Sequence, residues 1–248
     1  MSEGRYELKY VLHERELPIL HASIAGHVEP DRHAWALPSG GLGYVVSSVY
    51  LDSTDFRGYA ERLRMERIRN RVRVRTYGSA GDEQPLFLEC KRKLDDQVIK
   101  HRVRMGDADS YQQLDEFHWE SVDDRLTQRF ARAVRGMKAM CVVRYEREVF
   151  TASTARLTVD RNIRAGAVDD TRMVYADAPL LLIPDDWCVV ELKFNGQMPG
   201  WMRETSRELE LYSEPVSKFA LGMVKSRRAG HLGELRQLTP STILAAAA

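Results

Sequence analysis

The segment IRNRVRVRTYG, Ile68 to Gly78, alternates with a period of two. In an extended strand that period puts Arg69, Arg71, Arg73, Arg75 and Tyr77 on one face and Ile68, Asn70, Val72, Val74 and Thr76 on the other. Guanidinium groups along such a face lie roughly 6.6 to 6.8 Å apart, so they repel one another unless water or an anion stands between them. For one strand alone, a solvated sheet face explains the ladder better than a binding site does.

The same division recurs along the chain. Seven further runs, Arg5 to Leu12, Tyr44 to Asp52, Pro85 to Lys93, Gln97 to Met105, Met140 to Phe150, Ala155 to Arg161 and Trp187 to Phe194, read as strands of period two. Glu7 and Lys9 oppose Leu8 and Tyr10, and Glu89, Lys91 and Lys93 oppose Leu88 and Cys90. Lys100, Arg102 and Arg104 oppose Ile99 and Val103. Arg156, Thr158 and Asp160 oppose Leu157 and Val159, and Glu191 and Lys193 oppose Val190 and Leu192. Amphipathic helices are expected at Glu14 to Ala25, Asp123 to Met137, Pro199 to Leu211 and Ser217 to Ser226. If those helices cover the apolar faces from outside, the charged faces point inward. The expected fold is therefore α+β, a closed eight-stranded antiparallel β-barrel with helices packed outside and a charged bore.

Composition limits what else the chain can be. Its 248 residues are 44% hydrophobic with a net charge of +1, enough apolar material for one large domain. We expect a single domain over 1–240 and a frayed tail over 241–248. No apolar run approaches the roughly 18 residues of a membrane span, and the charged start (Glu3, Arg5, Glu7, Lys9) does not read as a signal peptide, so a cytoplasmic location without direct membrane insertion is expected. Cys90, Cys141 and Cys188 sit apart in apolar stretches and read as buried thiols. Neither a dinucleotide fingerprint nor a Walker loop is present, so any phosphate must be held mainly by side chains. Near-neutral net charge and few interleaved aromatics disfavour nucleic acid. Many cations with a few carboxylates in one bore imply a multivalent anion with a divalent metal: arginine forks suit phosphate oxygens, and carboxylates suit Mg²⁺ or Mn²⁺.

Eight short motifs, R-Y-E-L-K-Y at 5–10, R-V-R-T-Y-G at 73–78, L-E-C-K at 88–91, K-H-R at 100–102, Y-E-R-E-V-F at 145–150, R-L-T-V-D at 156–160, V-E-L-K at 190–193 and S-K-F at 217–219, together resemble the triphosphate tunnel metalloenzymes. Within them the chain is most similar to the polyphosphate polymerase (vacuolar transporter chaperone, VTC) domains, from about residue 5 to 224. The resemblance implies an eight-stranded tunnel holding the triphosphate of ATP and a growing polyphosphate chain. By position it implies Lys9, Arg73, Arg75, Lys91, Lys100, Arg147, Arg156, Ser217 and Lys218 as phosphate ligands. Glu191 follows as the metal-ligating carboxylate with Glu7 beside it, and Mn²⁺ or Mg²⁺ as the ion. Arg147 shares its face with Tyr145 and Val149, so alternation alone does not select it. Ser217 reads equally well as a helix cap, and Arg156 as a surface residue.

Two departures qualify the resemblance. Hydrolytic tunnel enzymes carry E-x-E-x-K on the first strand, whereas Arg5 stands at the first glutamate here. The eukaryotic polymerases also have an inositol-phosphate-sensing domain and membrane helices without a counterpart in these residues, which leaves room for a membrane partner protein. The leading expectation is ATP-dependent polyphosphate synthesis, with Glu191, Lys218, Arg73 and Arg75 closest to the chemistry. The alternatives are a tunnel triphosphatase acting on tripolyphosphate or a nucleoside triphosphate, and a non-enzymatic polyphosphate-binding protein.

Overall fold

The computed structural model describes residues 5–78, 84–94, 97–105, 134, 136–228 and 238–246. The eight expected strands are present: β1 Arg5–His13, β4 Leu42–Asp52, β5 Ile68–Tyr77, β6 Leu86–Leu94, β7 Gln97–Met105, β8 Lys138–Thr151, β9 Ala155–Ala167 and β11 Trp187–Asn195. Three two-residue strands, β2 Glu29–Pro30, β3 Trp35–Ala36 and β10 Leu180–Leu181, pair at their margins. The long strands run in the order β1-β11-β9-β8-β4-β5-β6-β7, and each neighbouring pair is antiparallel.

That order corrects the expected closed barrel. The sheet is open, since β1 and β7 stand at its two ends and do not pair with each other among the described residues. A side-chain bridge spans the gap instead, Lys91 Nζ on β6 to Glu7 Oε2 on β1 at 2.7 Å. Alternation reports which face a strand buries. It carries no information on whether the last strand meets the first, which depends on tilt and stagger summed over the whole sheet.

The faces fall as the period predicts. Outward, Tyr10, Leu12, Leu157, Val159, Cys188, Val190 and Leu192 pack with helices α1 (Leu17–Ile24) and α3 (Gly200–Glu208) through Leu20, Ile24 and Met202. Val49, Leu51, Val72, Val74, Leu88 and Cys90 form a second outer cluster with Val168 and Val174. All three cysteines are free and buried. The expected helix at Asp123 to Met137 lies largely outside the described residues.

Inward, the faces are basic at one end only. Toward the other end they turn apolar, with Val11, Val46, Cys141, Val143, Ile163, Ala165 and Val189 packed under helix α4 (Lys218–Lys225) through Phe219, Ala220 and Met223. Gly222 permits this seat, because a Cβ there would lie 3.0 Å from the Cys141 sulfur and 3.1 Å from Val143. A register shift in the β8–β9 pairing between Arg144 and Glu146 marks the bulge where inward residues on β9 change from even (Thr158, Asp160) to odd (Ile163, Ala165).

Two further elements escape periodicity. Helix α2 (Arg57–Leu63) starts where Asp52 accepts the Gly58 and Tyr59 amides at 2.8 and 2.9 Å. In place of part of the expected frayed tail, residues Ser241–Ala246 form helix α5, whose first amides, Ser241 and Thr242, donate to Glu214 and whose Ile243 is buried. No helix among the described residues is long and apolar enough to cross a membrane.

Candidate functional site

The inner faces enclose a cavity of about 680 Å³, lined among the described residues by eleven cationic side chains and four carboxylates. Of the residues expected in the site, Glu7, Lys9, Arg73, Arg75, Lys91, Lys100, Arg147, Arg156, Glu191 and Lys218 all line it. Ser217 does not. Its hydroxyl accepts the Ala220 amide at 3.3 Å and caps α4, which sets Lys218 in the cavity wall at the first turn. Arg71 lines the cavity whereas Arg69, one step further along the ladder, does not.

Strand register explains the grouping. β6 lies between β5 and β7, and Glu89 faces Arg73 on one side and Arg102 on the other. Its carboxylate, 2% exposed, accepts from Arg73 at 2.6 and 2.8 Å and Arg102 at 2.7 Å, and Lys100 Nζ lies 2.8 Å away. Burial acts to raise the Glu89 carboxyl, but Arg73, Arg75 and Lys100 hold it far below the usual carboxylate range. In the neighbouring row Arg71, Lys91 and Lys100 stand side by side, three cations with no carboxylate between them. Burial pushes Lys91 down to about 8 despite the pull of Glu7.

A second hub forms around Glu191. Lys193 lies at 2.6 Å, Lys9 at 3.3 Å, Lys218 at 3.5 Å and Arg147 at 3.8 Å. Burial again acts upward on the carboxyl and is outweighed by Lys193, then Lys9, Lys218 and Arg147. Beneath it, the fully buried Asp160 takes Arg147 through both nitrogens at 2.5 and 2.6 Å and Lys218 at 2.5 Å. Asp160 was read from the sequence only as part of a charged face. Its role as the anchor of Arg147 and Lys218 follows from the Arg147–Asp160 register.

Two carboxylates of the cavity, Glu7 and Glu191, could hold a divalent cation. Glu7 and Glu191 flank one ammonium, Lys9, at 3.5 and 3.3 Å. Thr158, opposite Glu191 in register, leaves a buried hydroxyl without a hydrogen-bond partner. Among the described residues no group of three or more His, Cys, Asp or Glu comes together as a metal site. Mg²⁺ is typically held by one or two carboxylates plus phosphate oxygens and water, so two carboxylates are a sufficient protein share.

Comparison with known proteins agrees with this architecture. The family model described as the VTC domain matches residues 4–226. Among solved structures, a proposed adenylyl cyclase from Hippeastrum, described as having a dominant triphosphatase activity, superposes with a TM-score of 0.52 at 13% identity, covering 94% of this chain and 98% of that one. A proposed adenylate cyclase from Bacillus halodurans gives 0.49 at 11% identity, covering 87% and 95%. At 13% identity the likeness to the Hippeastrum protein concerns the fold alone. No curated protein matches in sequence.

Proposed function

This chain belongs to the VTC-domain family of triphosphate tunnel metalloenzymes, and on that premise we propose that its cleft hydrolyses the terminal phosphoanhydride of a linear triphosphate. The observation that carries the reading is the convergence of eleven cations and four carboxylates on one cavity. An excess of positive charge of that size, partly desolvated, needs a polyanion to balance it. The dominant triphosphatase activity described for the Hippeastrum protein, which shares this fold, supports water as the acceptor.

The parts divide by position. Arg73, Arg75, Lys91, Lys100 and Arg102 on β5 to β7 would hold non-bridging oxygens of the chain. Arg147 and Lys218, oriented by Asp160, would face the group being transferred and neutralise charge that develops there. Glu7 and Glu191 would hold Mn²⁺ or Mg²⁺, which would supply charge neutralisation for the phosphate groups. Water forms the new bond to the terminal phosphorus, the bridging P–O bond breaks with its electron pair leaving on the diphosphate, and of the two water protons one stays on the product phosphate while the other passes to the diphosphate or to solvent. Glu191 is a poor general base, since its cations hold it ionised and of low basicity. Positioning and charge neutralisation therefore supply most of the catalysis.

Transfer of the γ-phosphate of ATP to a polyphosphate chain end is the second reading. It is favoured by the all-cation row Arg71–Lys91–Lys100 and by Arg5 standing at the first glutamate of the hydrolytic pattern. Purified protein incubated with Mn²⁺ and either tripolyphosphate or ATP separates the two: free phosphate supports hydrolysis, long-chain polymer supports transfer, and neither product overturns both.

A further inference from the structure

The basic face of the sheet runs on beyond the cavity. One step past Arg71 on β5, roughly 6.6 to 6.8 Å along the strand, stands Arg69, and Lys93 of β6 lies opposite it in register. Helix α2 adds Arg62, which is buried. None of these three lines the cavity. Their acceptors are poor. Arg62 Nη1 lies 2.8 Å from the Met65 sulfur, and Arg69 Nη1 reaches the same sulfur at 3.8 Å. A thioether accepts weakly, and Met65 presents it from a left-handed backbone, φ +55°, that a residue with a side chain adopts only at a cost. Arg69 Nε is buried without a hydrogen-bond partner. Arg62 gives its other terminal nitrogen to the Pro215 carbonyl at 2.8 Å, and burial, then the charges of Arg71 and Arg69, pull its guanidinium down to about 10. Among the described residues no carboxylate pairs with Arg62, Arg69 or Lys93. In the cavity Glu89 and Glu191 each gather several cations. Here a neutral sulfur occupies the position of such an anion.

We propose that Arg62, Arg69 and Lys93 form a second oxyanion site, outside the cavity, that takes one tetrahedral phosphate group where Met65 now holds the two guanidinium groups. The forks of Arg62 and Arg69 match phosphate oxygens, and Lys93 adds a point charge. The flexible Met65 side chain, 56% exposed, can swing away to admit the ligand. Cations that repel one another across a partly desolvated gap gain most from an anion placed between them. The group has two sources: a phosphate of a chain that runs on from the cavity past Arg71, or free inorganic phosphate. Filling the site is a binding event alone, so it stands whether the cavity hydrolyses its substrate or transfers from it.

The test is Arg69→Gln with Lys93→Gln as a second variant, since both side chains are partly exposed and neither lines the cavity. Calorimetry in chelator compares three ligands: tripolyphosphate, long-chain polyphosphate, and inorganic phosphate added to protein that already holds one equivalent of tripolyphosphate. A hydrogen bond to a charged group is worth about 10-fold or more in affinity. If the chain is the source, both variants are expected to lose about that factor for long-chain polyphosphate and to keep the parental affinity for tripolyphosphate. If free phosphate is the source, the parent takes up a further equivalent of inorganic phosphate, and both variants bind it about 10-fold more weakly. Retained tripolyphosphate affinity also shows that the variants are folded. Parental binding of both long-chain polyphosphate and inorganic phosphate in both variants, or a loss of equal size for tripolyphosphate, would overturn the second site.

Discussion

Glu89→Gln tests whether the carboxylate hubs hold the cations of the cleft in the absence of ligand. The substitution keeps the shape of the side chain and removes one negative charge from a point contacted by Arg73, Lys100 and Arg102 at 2.6 to 2.8 Å, with Arg75 at 4.0 Å. Removing one partner of a buried ion pair costs about 3 to 5 kcal/mol, and the lower end applies because only Arg75 is left desolvated while Arg73, Lys100 and Arg102 remain partly exposed. In a chain of this size each kcal/mol moves the melting temperature by about 2 to 4 °C, so a fall of about 6 to 12 °C is expected. Tripolyphosphate should then stabilise the variant more than the parent, since its oxygens supply the anion that the glutamine lacks. Thermal melts with and without saturating tripolyphosphate in chelator read both effects. A melting temperature within about 2 °C of the parent, or the same ligand-induced gain in both proteins, would refute the reasoning.

Three further outcomes follow from particular contacts. Lys91, pushed down to about 8, is cationic below that pH and neutral above it, so KM for a triphosphate should rise as pH passes 8, and Lys91→Met should flatten that dependence. Glu7 is held at about 2 against an ordinary 4.5: burial acts upward, but Lys9, Lys91 and Lys193 outweigh it together with the repulsion of Glu191. Its folded pKa is depressed, so its contribution to stability is complete above pH 4.5 and is lost as pH falls toward 2. Denaturation midpoints in chelator over that window should therefore fall more steeply in the parent than in Glu7→Gln. Gly43→Ala would set a Cβ 2.1 Å from the Arg147 carbonyl oxygen, so β4 and β8 must part there. A loss of several °C in melting temperature and weaker triphosphate binding are expected, and a protein with parental values in both would contradict the packing.

The strands were legible because each carries its own alternation, and the outer clusters of Leu157, Val159, Val190 and Leu192 or Val72, Val74 and Leu88 obey it without exception. Closure was not legible, because it is a property of the whole sheet. Most of the cavity lining could be read from the same alternation, yet its grouping could not. Glu89 sits between Arg73 and Arg102 by virtue of a register that two separate strands only acquire on pairing. The bulge on β9 hid the apolar half of the inner face for a related reason: Arg156 to Arg161 reads as one clean strand, and the change of parity occurs just beyond it at Asn162, whose φ is +48°. Helix α2 carries too short a stripe to show a 3.6-residue period, and its cap comes from Asp52, the last residue of the preceding strand.

The two hubs are not equivalent, and the difference assigns them separate parts in the proposed chemistry. Around Glu89, among the described residues, the carboxylate stands alone among cations from β5 and β7, an arrangement that can exchange one anion for another but offers a metal a single carboxylate. Around Glu191 two carboxylates share Lys9, and Asp160 fixes Arg147 and Lys218 from behind. Among the described residues only there do the carboxylates that would hold a cation and the cations that would meet a transferred phosphate in the proposed chemistry come together. A substituted Glu89 should therefore be read mainly in binding, through KM and the ligand-induced rise in melting temperature. A substituted Asp160 should be read mainly in kcat, because it loosens the two donors that in the proposed chemistry would meet the charge of the transition state while leaving the β5 to β7 cations where they are.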